Sequence, residues 1–272
     1  MRKLTRLGPL FLLLALAGCE RGVPAPSDDR PVVVSMVREP ADPSDGRTLT
    51  VAWHFRIADG WHLYWDGLND SGAPPSIELD LPDGWRADPP RWPAPRRLVS
   101  PGGILDHVYH HELVLLQDLH PAGDAQADFG AKLAWLVCRD VCVMGDTTLT
   151  STEAAAPPDV AGFFAKARSR LPTTMPAGHY GADWEGTTLR VSLPRVEHLE
   201  FLPAADCGRL AAPLEDTAAE GQALALRFEP VDGAVGPARG LVRGTFGDHA
   251  VSFHIDIPRK AATNPNLEDD DD

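Results

Sequence analysis

After its first twenty residues the sequence has no apolar run approaching membrane length, and a spanning helix needs roughly 20 such residues. Basic residues are in short supply. Lys and Arg number 25 against 39 Asp and Glu, a net charge of -14, which argues against nucleic acid or anionic lipid surfaces as partners. No Gly-x-Ser-x-Gly elbow is present, so the scattered Ser, His and Asp residues do not suggest a hydrolase. No βαβ alternation is visible, which counts against a thioredoxin-like α/β fold. Cysteine is scarce too, with four in 272 residues.

What is present begins with a basic start, Arg2, Lys3 and Arg6, an apolar run from Leu7 to Ala17, and Leu16-Ala17-Gly18-Cys19. A short basic segment, a short apolar run and a small-residue processing site read as a secretory signal. The ending matches a bacterial lipobox, which makes Cys19 the expected lipidation site and residues 1–19 a lipoprotein signal peptide. Glu20 in place of Asp leans toward the outer membrane, with the chain on the periplasmic face of the envelope. Residues 20–31, rich in Pro, Ser and Asp, read as a flexible tether. The run Asp269–Asp272 closes an acidic segment, 259–272, expected to be disordered and solvated.

Between these ends, 26 prolines and 24 glycines imply many turns and few long helices. Short strand-like segments recur, and Thr48 to Phe55 alternates polar and apolar residues as a half-buried strand does. The spacing predicts a mainly β fold, with an immunoglobulin-sized sandwich over 32–152. A linker with a short helix over 153–177 follows, Asp159 being its candidate N-cap. A second, smaller β domain is expected over 178–258.

With Cys19 assigned to lipid, Cys138, Cys142 and Cys207 remain, an odd count that leaves one thiol over in an oxidising compartment. A disulfide needs Cα atoms roughly 4.4–6.8 Å apart, so Cys138 and Cys142 can join only if the chain turns between them. Closing five residues removes little unfolded-state entropy, roughly 2 kcal/mol, against about 4.7 for a 100-residue loop. From spacing alone an inert clip, redox chemistry and metal binding all remain open. Cys207 reads as a spare thiol in a loop.

Four ordered motifs add to this. Gly60-Trp61-His62-Leu63-Tyr64-Trp65 with Asp70-Ser71-Gly72-Ala73-Pro74-Pro75, then Leu81-Pro82-Asp83-Gly84-Trp85, Arg91-Trp92-Pro93-Ala94-Pro95, and Trp135-Leu136-Val137-Cys138 through Cys142-Val143-Met144-Gly145 together resemble the N-terminal periplasmic domain of the DsbD and ScsB thiol:disulfide interchange proteins. The resemblance implies an immunoglobulin-like sandwich with Cys138 and Cys142 as a redox-active pair, no other cofactor, and exchange with envelope thiol–disulfide proteins. Implied partners are a membrane electron-transfer protein and thioredoxin-like proteins. It also implies an aromatic-capped loop over the pair; by position this is Ser100–Tyr109, with Ile104, Leu105 or Tyr109 shielding. The family's membrane and thioredoxin-like domains are not found in this chain. It is therefore expected to be one component of a protein-disulfide reductase system, reduced by a separate protein.

Two other functions compete. His107, His110 and His111, with Met144 beside Cys138 and Cys142, are ligand types suited to copper. The bland reading of those histidines is a solvated loop. A scaffold that keeps the β folds without exchange activity is the third class. Trp53, Trp61, Tyr64 and Trp65 are expected to fill the sandwich core, and Asp70-Ser71-Gly72 to make a turn.

Overall fold

The computed structural model describes residues 24–40, 48–122, 127–175 and 178–259. Cys19, its signal segment and the acidic run at 260–272 lie outside the described residues.

The first ten strands are β1 (Val32–Arg38), β2 (Leu49–Ile57), β3 (His62–Tyr64), β4 (Ser76–Asp80), β5 (Arg86–Ala87), β6 (Arg96–Ser100), β7 (Ile104–His110), β8 (Glu112–His120), β9 (Gly130–Cys138) and β10 (Cys142–Thr150). They form two facing sheets, one in the order β1-β2-β8-β5, the other β10-β9-β3-β7-β6 with β4 also paired to β9. Along β2 the residues Leu49, Val51, Trp53, Phe55 and Ile57 are all buried, the period of two that lets one face of a strand enter a core. They meet Leu113, Leu115 and Leu119 of β8 and Leu63, Leu133 and Val137 of the second sheet. Trp53, Trp61 and Trp65 join the same core. Trp53 is fully buried and its indole N–H donates to Gln117 Oε1 at 2.9 Å, which satisfies the one polar atom it carries inward. The fold is mainly β, an immunoglobulin-like sandwich with a further β region.

The outer face of the first sheet is covered by α1 (Val160–Ser169). Asp159 caps it, its carboxylate accepting the Gly162 backbone N–H at 2.8 Å. Phe164 and Ala167 pack on Val37, Ala52, Val114 and Leu116, the residues of β1, β2 and β8 that point away from the sandwich core.

The remaining elements are β11 (Thr173–Thr174), β12 (Gly181–Glu185), β13 (Thr188–Ser192), β14 (Glu197–Pro203), α2 (Pro213–Asp216), β15 (Ala218–Ala219), β16 (Ala223–Arg227), β17 (Ala238–Phe246) and β18 (His249–Ile257). They form sheets β11-β18-β17-β14-β15 and β12-β13-β16 around a second core that includes Leu189, Leu199, Phe201, Leu226 and Val242. Thr173–Thr174, expected within a linker, instead pairs in parallel with Phe253 and His254 of β18. Leu202 and Leu241 turn the other way and belong to the first core, and the Leu68 backbone N–H donates to the Pro203 carbonyl at 2.9 Å.

Residues 24–31, expected as a free tether, lie against the sandwich. Asp28 accepts from the Trp61 indole at 3.2 Å and from Arg139 at 2.9 Å, and the Arg56 guanidinium donates to the Pro24 carbonyl. One carboxylate with two donors is enough to dock a segment whose composition alone reads as mobile.

Candidate functional site

Cys138 ends β9 and Cys142 begins β10, and the two are direct partners in the antiparallel register. Arg139, Asp140 and Val141 make the turn, and the Arg139 backbone N–H donates to the Val141 carbonyl at 3.1 Å. The sulfurs are joined as a disulfide with Cα atoms 4.1 Å apart. β10 is an edge strand of its sheet, so this hairpin is open on one side.

The two sulfurs have different surroundings. Cys138 is 3% exposed and packs with Tyr64 and Val108, flanked by Leu98 and Leu136. Cys142 is exposed. Around it Val141, Val143 and Met144 are 65%, 41% and 83% exposed, a concentration of apolar side chains that surface strands ordinarily avoid. The Arg139 guanidinium lies over the Trp61 ring, 4.8 Å from its centroid, and is paired with Asp28 and Asp140.

Residues 33–154 match the family profile of the N-terminal domain of thiol:disulfide interchange protein DsbD. This segment belongs to the DsbD N-terminal domain family. Among solved structures, the N-terminal periplasmic domain of ScsB from Proteus mirabilis is matched over 84% of this chain and 100% of its own, with 16% identity and a TM-score of 0.55. That likeness establishes a shared fold that extends beyond the sandwich. Also matched are the reduced DsbD N-terminal domain of Neisseria meningitidis (20% identity, 40% of this chain and 87% of that chain, TM-score 0.28) and the complex between the DsbD and PilB N-terminal domains of the same organism (18%, 48% and 92%, 0.33). The curated proteins give no match. The family is one of thiol–disulfide interchange, and the Cys138–Cys142 disulfide is the feature of this DsbD-type domain that fits it.

The DsbD-type motifs also build the wall behind Cys138. The segment after β3 runs beside β7 and is held there by side chains as well as backbone. Asn69 Oδ1 accepts the His107 N–H at 2.7 Å, Asp70 Oδ2 accepts that of Leu105 at 2.7 Å, and Ser71 donates to Asp106 from both its N–H (2.8 Å) and its hydroxyl (2.7 Å). Asp70-Ser71-Gly72 is therefore a clamp on β7 more than a simple turn. Gly72 has φ +68°, and a Cβ there would fall 2.2 Å from the Tyr64 ring, so the glycine makes the space in which Tyr64 lies.

Two sequence expectations need correction. Ser100–Tyr109 is not a loop: it is the end of β6, a tight turn at Pro101–Gly103, and β7. Ile104 is partly exposed, whereas Leu105 and Tyr109 are buried, and the Tyr109 hydroxyl donates to the Pro93 carbonyl at 2.7 Å. Tyr109 sits in the sandwich core, and its neighbour Val108, one residue along the strand, is what touches Cys138. The copper ligand set likewise does not converge. Strand alternation turns His107 and His110 to opposite faces of β7. His107 is buried with Nδ1 on the Leu68 carbonyl at 2.7 Å, His110 faces His62, and His111 occupies a left-handed turn beside Asp59. Met144 points to solvent. Among the described residues no three His, Cys, Asp or Glu side chains are grouped to hold a metal.

Cys207 is the free cysteine among the described residues, half-buried beside the second core, with its Sγ 3.8 Å from the Pro237 carbonyl. Burial pushes its thiol up to about 11. Sequence reading missed His62, the register partner of Cys138 on β3, and the buried Asp106. Both lie in quoted motifs or strands, but only the pairing register shows what they face.

Proposed function

We propose that this chain is a lipid-anchored periplasmic thiol–disulfide interchange protein that relays electrons to envelope disulfide proteins through Cys138 and Cys142. The observation that carries the reading is the asymmetry of the pair: one exposed sulfur on an open edge hairpin, ringed by exposed Val141, Val143 and Met144, and one buried sulfur directly behind it. A five-residue ring adds only roughly 2 kcal/mol as a staple, so stabilisation is a weak reason for placing it there.

The chemistry follows from access. In the reduced pair the Cys142 thiolate attacks a partner disulfide, forming a Cys142–partner bond and releasing the partner's other sulfur as a thiolate. Cys138 then attacks the Cys142 Sγ, the mixed disulfide breaks, and the second partner sulfur leaves. Two electrons have passed to the partner, whose two thiolates take up the protons that Cys138 and Cys142 gave. A separate dithiol protein, fed from the membrane, re-reduces the pair by the reverse exchange. The exposed valines and methionine supply an apolar rim for docking thioredoxin-like partners of this kind.

The test is the reduction potential of the Cys138–Cys142 pair in glutathione or dithiothreitol buffers, read by thiol alkylation and mass spectrometry. A value of roughly -120 to -270 mV supports the relay, and one well below about -300 mV with slow exchange marks a structural clip.

A further inference from the structure

Two polar pairs, Asp106–Ser71 and Tyr64–His62, lie near the strand position facing Cys138. Asp106 is 2% exposed and its Oδ2 accepts the Ser71 hydroxyl. The Tyr64 hydroxyl lies 3.3 Å from His62 Nε2. His62 in turn is the antiparallel register partner of Cys138. Directly opposed residues of such a pair hold their Cβ atoms about 4.5–5.5 Å apart on one face of the sheet.

A neutral imidazole carries one ring nitrogen free to accept a proton, and here the ring stands on the strand beside the buried sulfur. A buried thiol needs such a group, because the thiolate is the nucleophile and burial opposes its formation.

We propose that His62 is the base that takes the proton of Cys138 when the mixed disulfide closes, with Tyr64, which contacts its Nε2, as a positioning residue. The proposal rests on the reading of Cys138 as the resolving sulfur. In the step, the Cys138 S–H proton passes to the free ring nitrogen of His62 and the S–H electron pair forms the bond to Cys142 Sγ. The bond from Cys142 to the partner sulfur breaks, and that sulfur leaves with the electron pair and takes the proton back from the imidazolium.

The groups facing His62 agree with such a role. Its own strand contributes Tyr64; β7 contributes His110, with ring centroids 5.7 Å apart, and Asp106; β9 contributes Cys138. Arg96 of β6 and His111 act on His110, while Arg139 is turned aside onto Trp61 and Asp28. Burial and the neighbouring His110 hold the His62 pKa below the usual imidazole range, with Asp106 pulling the other way. The ring is thus neutral and ready to accept a proton at pH 7.

The test uses reduced protein carrying Cys207→Ala, mixed with oxidised glutathione and acid-quenched at intervals from pH 5 to 9. Mass spectrometry reads both the Cys142–glutathione species and its closure to the intramolecular disulfide. His62→Gln is expected to make the mixed disulfide accumulate, with closure slowed about tenfold to a hundredfold at pH 7 and its rate rising only toward the alkaline range of a free thiol. Tyr64→Phe, which removes the hydroxyl beside Nε2 but keeps the imidazole, is expected to slow closure less and to keep a near-neutral limb in the pH profile. Closure by His62→Gln at the parent rate and with the parent pH profile would overturn the proposal. Should His62→Gln lose its folded tryptophan signal, Tyr64→Phe decides by the same comparison. Glutathione closes this ring whatever the physiological partner, so the outcome is separable from the relay reading, which stands on the reduction potential.

Discussion

Cys138 and Cys142 occupy directly opposed positions on β9 and β10, yet Cys138 is 3% exposed and Cys142 is open to solvent. The inequality arises because Cys138 has strands on both sides, whereas Cys142 has a neighbour on one side only. A partner approaching the edge meets one sulfur.

That asymmetry predicts how the single-cysteine variants differ. Cys138→Ser, with Cys142 intact, is expected to react promptly with an aromatic disulfide reagent and to hold the mixed disulfide. Cys142→Ser, with only Cys138, is expected to react on the order of a hundredfold more slowly, since the buried thiol is reached only through local opening. Stopped-flow absorbance of the released aromatic thiolate measures both. Equal rates would mean that Cys138 is accessible and that the order of attack is not set by burial.

The glycine under Tyr64 gives a second prediction. Gly72→Ala places a Cβ 2.2 Å from the Tyr64 ring at a φ of +68°, so both sterics and backbone oppose it. The expected cost is about 1–3 kcal/mol in urea unfolding. Because Tyr64 packs on Cys138, the variant should also alkylate faster at Cys138 when reduced. A neutral Gly72→Ala would show that the ring moves aside freely.

Glu112 sets a pH dependence. Its carboxyl is held down to about 2, first by the hydrogen bond from His54 and then by that from Arg170, with burial opposing. A folded pKa below the unfolded one contributes stability that is fully present above about 4.5 and is lost as pH falls toward 2. Allowing for solvent screening, Glu112→Gln is expected to cost on the order of 1–2 kcal/mol at pH 6 and almost nothing near pH 2. Urea titrations of both proteins at several pH values test this. A difference that persists unchanged at pH 2 would assign the effect to packing instead.

Cys207 is predicted to be a bystander. With its thiol pushed up to about 11 by burial, it should alkylate at pH 8 roughly two orders of magnitude more slowly than an exposed cysteine. Cys207→Ala should leave the potential of the Cys138–Cys142 pair where it was. A shift of more than a few millivolts would place Cys207 in the exchange pathway.

The fold class was readable because β2 shows its burial in its letters: Leu49, Val51, Trp53, Phe55 and Ile57 alternate with polar residues or alanine. The cysteine pair was readable as a pair because any short ring requires a turn. What surrounds it was not, since His62 reaches Cys138 only through the β3–β9 register, and register is a property of two strands. The three histidines of 107–111 looked like one cluster because proximity in sequence says nothing about which face of β7 each occupies. The stretch Ser100–Tyr109 is not a loop for the related reason that a turn at Pro101–Gly103 continues directly into a strand. The docking of Asp28 had no signal at all in a Pro- and Asp-rich stretch, because it depends on where Arg139 and Trp61 end up.

Leu202 and Leu241 lie on β14 and β17, among strands that enclose a core of their own, yet their side chains pack into the sandwich core. For the evolutionary history of the chain this matters. A recombination event that joined the first 154 residues to some other module would leave Trp65 and its neighbours without the surface they rest on. The two regions are thus expected to be inherited as a block, and substitutions at Leu202 and Leu241 to drift in step with those in the sandwich more than with those in their own sheet.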